Sequence, residues 1–209
     1  MAALTTNTAA PTPPQTGAEA APADGASARR RGPHDAFRLA REKWRDGERI
    51  DMSALARELG INRATLYRWV GSREQLLVDV VWNLSNHLIG AADAKVAESG
   101  SERVVQVVTR FIDKAISDHG MQTWLAGEGE SAMRLLTRHG AGFQPRLVAR
   151  LERLLREEVD AGHLELPVDV HEVAYVLEQL VESYVYLFQI AGERPQARRA
   201  EPILRMLLR

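Results

Sequence analysis

The segment over residues 52–77, MSALARELGINRATLYRWVGSREQLL, limits the fold more than any other part of the chain. Two short helices meet at Gly60-Ile61-Asn62. The bend between them needs a residue that tolerates positive φ, which Gly60 supplies. Asp51 is placed to cap a helix over 52–59, and Asn62 one over 63–70. Gly71 breaks the second helix, and Ser72 with Gln75 resembles a capping box that opens the next. Close crossing needs a small residue on the first helix, and Ala56 lies four before the glycine. Leu55, Leu59, Ile61, Leu66 and Trp69 are spaced to meet in one small core. This pattern predicts a helix-turn-helix.

With those residues inward, the opposite face of the second helix holds Arg63, Ala64, Thr65, Tyr67 and Arg68. Arginine can bond guanine O6 and N7 in the major groove of double-stranded DNA, and a threonine methyl can pack on the thymine methyl. Tyr67, Arg73 and the amides opening the following helix suit phosphate oxygens, which set register rather than sequence. Asn62, at the start of the base-reading segment, is counted with this group.

The rest of the chain is also helical in period. Phe37, Ala40 and Trp44 mark one face of a first helix that closes at Asp46-Gly47. Further helices are predicted over 73–98, 102–119, 143–161, about 170–191 and 195–208. The stretch 120–142 reads as short helical pieces punctuated by five glycines. No period-2 alternation and no long repeat stands out, so the fold class is all-α. Residues 1–28 are rich in Ala, Pro, Thr and Gly with few large apolar side chains, and are expected to be a disordered tail. The expected division is then a helix-turn-helix domain over 29–75 and a helical effector-binding and dimerisation domain over 76–209.

Charge follows the same division. Net charge is −2 over 1–28, +5 over 29–75 and −4 over 76–209. A basic segment joined to an acidic body points to nucleic-acid contact by one part only. The chain has no cysteine, which excludes disulfides, thiolate metal sites and cysteine nucleophiles. No apolar run approaches the roughly 20 residues of a membrane helix, and the N-terminus lacks the basic start and apolar block of a secretory signal. A cytoplasmic protein with no membrane partner is expected. Glycine-rich phosphate loops, dinucleotide fingerprints and a Gly-x-Ser-x-Gly elbow are all missing, so no enzyme is expected. His119, Glu128, Glu130 and His139 match no compact ligand spacing, so neither metal nor cofactor is expected.

The run LGINRATLYRWVGSREQLL resembles the DNA-binding domain of TetR-type transcriptional regulators. The resemblance rests on Thr65-Leu66-Tyr67, the aromatic Trp69, and Ser72-Arg73-Glu74-Gln75-Leu76-Leu77, and covers about residues 33–80. Trp69-Val70 stands where many members carry His-Phe. The resemblance implies base-facing positions at Arg63, Ala64, Thr65 and Arg68, and phosphate contacts at Ser53, Tyr67 and Arg73. It also implies an all-α body that binds a ligand and dimerises. The C-terminal stretch VESYVYLFQIAGERPQARRAEPILRMLL is more loosely similar to the QsdR-like subgroup of this family, which points to a lactone-type signal as effector.

The body supplies candidates for both roles. Trp82, His87, Met121, Trp124, Phe143, Tyr175 and Tyr184 could line a small-molecule pocket between helices or simply be core. Val176, Leu180, Leu187, Phe188, Ile203 and Leu207 form an apolar stripe suited to a two-fold homodimer interface or to intrachain packing. A dimer also fits the reading task, since one short helix reads only a few base pairs. The expected function is a ligand-responsive regulator, most simply a repressor released from its operator by a small molecule. A DNA-binding regulator without an effector, or a helical adaptor, remains the alternative. For Arg29-Arg30-Arg31, a minor-groove arm and a solvated charge run are both open.

Overall fold

The computed structural model describes residues 31–209, and these contain ten α-helices, two short 3-10 turns and no strand. The expected tail over 1–28, together with Arg29 and Arg30, lies outside the described residues. Three helices, α1 (Pro33–Arg45), α2 (Met52–Glu58) and α3 (Arg63–Val70), form a head. α4 (Arg73–Asp93) leaves the head and runs about 32 Å into the body. The body continues with α5 (Gly100–Ser117), α6 (His119–Thr137), α7 (Phe143–Asp160), α8 (Val170–Val185), α9 (Leu187–Ala191) and α10 (Glu201–Leu207).

Packing follows the amphipathic stripes. α5 turns Val104, Val105, Val107, Val108, Phe111 and Ile112 inward, and α7 turns Leu147, Leu151, Leu154 and Leu155 inward. These stripes meet the buried residues of α4, and α7 lies along α8. α1 packs on α3, α4 and α6 together, so head and body share one apolar core. The all-α fold class is therefore observed.

Several element boundaries differ from those read in the sequence, each for a local reason. α4 stops at Asp93 rather than Glu98. Two tight amide bonds, Lys95 to the Ala92 carbonyl and Val96 to the Asp93 carbonyl, close the turn, and Asp93 is held by Arg103 at 2.8 Å. α5 opens at Gly100, whose φ is 66° and whose missing Cβ would lie 2.5 Å from the His163 carbonyl oxygen. The 120–142 stretch is mostly one helix, α6, started by Asp118 Oδ1 accepting from the Met121 amide at 2.8 Å and kinked at Glu128. The expected single helix over 170–191 breaks at Tyr186, whose φ of −99° and ψ of 16° leave the helix while its ring is buried. The expected last helix is shortened to α10 because Pro202 is tolerated only in a first turn.

Candidate nucleic-acid interface

α2 and α3 meet at Gly60, whose φ of 65° is the left-handed conformation the bend requires. Asp51 Oδ1 accepts from the Ala54 amide at 2.7 Å, and Asn62 Oδ1 accepts from the Thr65 amide at 2.7 Å. Each helix is thus started by a side chain that satisfies one of its free amides. Leu55 and Leu66 are fully buried, Leu59 nearly so, and Ile61 and Trp69 are half-buried against this core.

Burial of that face leaves the polar face of α3 outward. Arg63, Ala64, Tyr67 and Arg68 are exposed, with Thr65 half-buried beside them. Ser53 and Asn62 are exposed as well. The Arg63 guanidinium sits 5.8 Å from the centre of the Tyr67 ring and donates to its hydroxyl at 3.4 Å. The side chain therefore lies along the helix surface with donors still available. Arg31 donates to the Glu58 carbonyl at 3.2 Å, which satisfies an acceptor at the end of α2.

Arg73 departs from its expected place. Its guanidinium faces the body instead of the reading surface. Nε donates to the Ile50 carbonyl at 2.7 Å, while Nη1 and Nη2 grip Glu128 at 2.9 and 2.7 Å. Arg49 Nε reaches the same carboxylate at 2.9 Å. The two guanidiniums, Arg73 first, hold the Glu128 carboxyl below its ordinary range. Glu128 sits at the kink of α6, where φ is −136° and ψ is 30°. One body residue thus clamps the chain just before α2 and just after α3. Sequence spacing gave no partner for Glu128. The one visible signal was an acidic residue between Gly127 and Gly129.

Several hollows lie outside the reading surface. One, of about 310 Å³, opens between α1, the 46–50 loop, α4 and α6, beside the Glu128 clamp. A cleft of about 690 Å³ runs between α4, α5 and the 197–201 segment, with Lys95, Arg110, Lys114 and Arg198 on its walls. A void of about 20 Å³ lies in the centre of the body against Phe111, Phe143 and Glu182.

The seven effector candidates do not converge on one of these. Trp124 lines the first hollow and packs edge-on to Trp44 at 5.3 Å. Met121 and Phe143 line the central void, and Trp82 packs edge-on to Phe143 at 6.4 Å. Tyr184 donates its hydroxyl to the Arg199 carbonyl at 3.0 Å. His87 and Tyr175 face outward, because the buried stripes of α4 and α8 pass through other positions. The expectation that His87 faces the body from α4 and that Tyr175 lines a pocket is therefore not met.

The body also buries a carboxyl pair. Glu178 is fully inaccessible, and burial with the neighbouring Glu182 pushes its carboxyl up to about 8. Burial raises Glu182 too. The remaining apolar candidates fall on the outside of the last helices. Val176, Phe188 and Ile203 are exposed, together with Ile190 and Met206, while Leu180, Leu187 and Leu207 are half-buried below them.

Residues 99–209 match the family described as "Tetracyclin repressor-like, C-terminal domain". The chain belongs to the TetR family. The match covers the body, whereas the residues that first suggested the family lie in the head. HTH-type transcriptional regulators of Mycobacterium tuberculosis (Rv1816) and Mycobacterium bovis (Mb1846) are each 26% identical over 125 residues. That alignment covers 58% of this chain and 53% of the relatives, so the chain spans about half the length of the curated relatives it matches. Among solved structures, the transcriptional repressor QsdR of R. erythropolis superposes with a TM-score of 0.75 at 26% identity, covering 84% of this chain and 93% of that one. The regulator FadR of Bacillus subtilis, solved with stearoyl-CoA, shares the fold with a TM-score of 0.57 at 15% identity, over 84% of this chain and 97% of its own. These proteins are named as transcriptional regulators, and this chain shares the helical architecture of the two solved structures.

Proposed function

We propose that this protein is a ligand-responsive repressor that binds operator DNA as a homodimer. Residues 29–75 form the reading domain and 76–209 the effector-binding and dimerisation domain. The observation that carries the reading is the capped α3, which buries Leu66 and turns Arg63, Ala64, Tyr67 and Arg68 to solvent on a basic head. Arg63, Thr65 and Arg68 read base edges with Ala64 against them, and Ser53 and Tyr67 contact phosphates. Asn62 acts by capping α3. Arg73 has no phosphate role in this reading, since its donors are engaged by Glu128 and Ile50.

The exposed apolar residues of α8–α10 form the dimer surface, which sets the distance between two α3 helices. A ligand that prefers one spacing of the heads changes operator affinity in proportion to its preference, about 1–3 kcal/mol or roughly 5–150-fold. Cytoplasmic residence follows from the role, because a repressor must share a compartment with the DNA it reads. The lactone class rests on the resemblance to the QsdR-like subgroup.

Mapping bound genomic DNA and then measuring gel shifts on the recovered sites tests the reading. Arg63→Ala should cost about 1–3 kcal/mol at the preferred site and relax one base position. Equal weakening on every duplex would move Arg63 to the phosphate contacts. An absence of preference for any duplex over random competitor would leave a helical adaptor as the reading. Selective binding that no small molecule alters would favour a regulator without an effector.

A further inference from the structure

The hollow beside the Glu128 clamp is walled by both head and body, and a smaller one of about 210 Å³ between α4 and α6 shares Arg73, Leu77, Trp124 and Glu128 with it. The walls of the larger hollow are apolar and aromatic, built from Trp44, Ile50, Leu77 and Trp124. Its rim carries Arg49, Arg73 and Glu128. At about 310 Å³ it falls at the small end of the roughly 300–1,000 Å³ typical of small-molecule sites.

Guanidinium donors at the rim outnumber the acceptors that meet them. Two guanidiniums share one carboxylate. The other acid there, Glu48, shares Lys43 with Glu58 at 2.9 and 3.1 Å, so the cluster is formally neutral and the rim offers free donors rather than net charge: neither Nη of Arg49 is bonded among the described residues. Arg49 is mostly exposed and bonds Glu128 through Nε alone, so it can turn to a second anion at little cost. A further donor waits in the wall. Trp124 is 8% exposed, and its Nε1–H is buried with no hydrogen-bond partner among the described residues. A buried donor left unpaired costs free energy that an entering acceptor recovers once the indole turns toward it. Arginine and indole N–H groups only donate, so the complementary ligand must accept.

The position of the hollow gives such a ligand a mechanical consequence. Its walls come from both head and body, and Glu128 is the body residue that grips both flanks of α2–α3. We propose that this hollow binds a small apolar molecule carrying one carboxylate, which takes Arg49 and Arg73 from Glu128 and thereby loosens the head from the body. The proposal rests on the regulator reading above and adds to it a ligand class and a place.

Calorimetric titration of the full chain with phenylacetate and octanoate, each against its amide, tests the class. Each carboxylate should bind at least tenfold more tightly than its amide. Arg49→Gln should weaken carboxylate binding about tenfold and bring acid and amide together, and its exposed position makes misfolding no obstacle. Glu128→Gln removes the competing anion, so the carboxylates should bind several-fold more tightly while operator affinity falls. A merely structural Glu128 would weaken both. Saturating carboxylate should also lower the operator affinity of the unaltered protein at least fivefold in a gel shift. Equal binding of acid and amide, no binding of either acid, or tight carboxylate binding unaffected by Arg49→Gln would overturn the proposal. Any of these with operator binding intact leaves the regulator reading standing, whereas loss of all selective DNA binding in the unaltered protein sinks that reading instead.

Discussion

Gly120→Ala should destabilise the protein by an amount that the head–body contact sets. A Cβ at Gly120 would lie 2.3 Å from Trp44 Nε1, 2.4 Å from Trp44 Cδ1 and 2.4 Å from the Trp44 carbonyl oxygen. The indole is held in place by Nε1 donating to Asp118 Oδ1 at 2.9 Å, and the carbonyl is backbone that cannot swing aside. Overpacking of a well-filled contact costs about 1–3 kcal/mol, and the immobile carbonyl puts this case in the upper part of that range. For a chain of this size each kcal/mol moves Tm by about 2–4 °C, so a fall of roughly 4–12 °C is expected in a thermal melt. Gly127→Ala on the same helix is the control. Nothing lies within 4 Å of its added Cβ. Relief of backbone entropy should stabilise it by about 0.5–1 kcal/mol, raising Tm by roughly 1–4 °C. A Gly120→Ala protein as stable as its parent, or two substitutions that shift Tm in the same direction, would refute the close approach of α1 to α6.

Two further outcomes are expected. Asn62→Ala removes the side-chain cap of α3 and should cost about 1 kcal/mol in denaturant unfolding, with a parallel loss of operator affinity. Asn62→Asp keeps an acceptor for the Thr65 amide, so stability should hold while the added negative charge near the duplex lowers affinity alone. Glu178 is held protonated by burial, so its raised carboxyl favours folding fully below the ordinary carboxylate range. That contribution declines as pH rises toward about 8, because the unfolded chain has by then released the proton that the folded chain keeps. Glu178→Gln should flatten the melting profile between about pH 5 and 8 and leave the variant more stable than its parent above that window. A parent profile that rises through the same window would contradict a buried, proton-holding Glu178.

The head was legible in the sequence because its determinants are local. Asp51, Gly60, Asn62 and Gly71 act within a few residues of where they stand, through caps and positive-φ turns. The face that α3 turns outward follows from which residues its own small core must bury. The all-α class was likewise legible, since helical period is a property of each segment. What the spacing misjudged depended on partners far along the chain. Arg73 reads as a phosphate contact until Glu128, 55 residues on, is brought against it. His87 and Tyr175 share helices with buried residues, and only the packing of α4 and α8 decides which stripe turns inward. α6 survives its glycines because Gly120 is where Trp44 must pass and Asp118 both caps the helix and holds that indole. Local rules of capping and periodicity therefore determine which pieces this chain forms. The azimuth of each helix, and with it every contact between head and body, is set by long-range burial that no window of sequence contains.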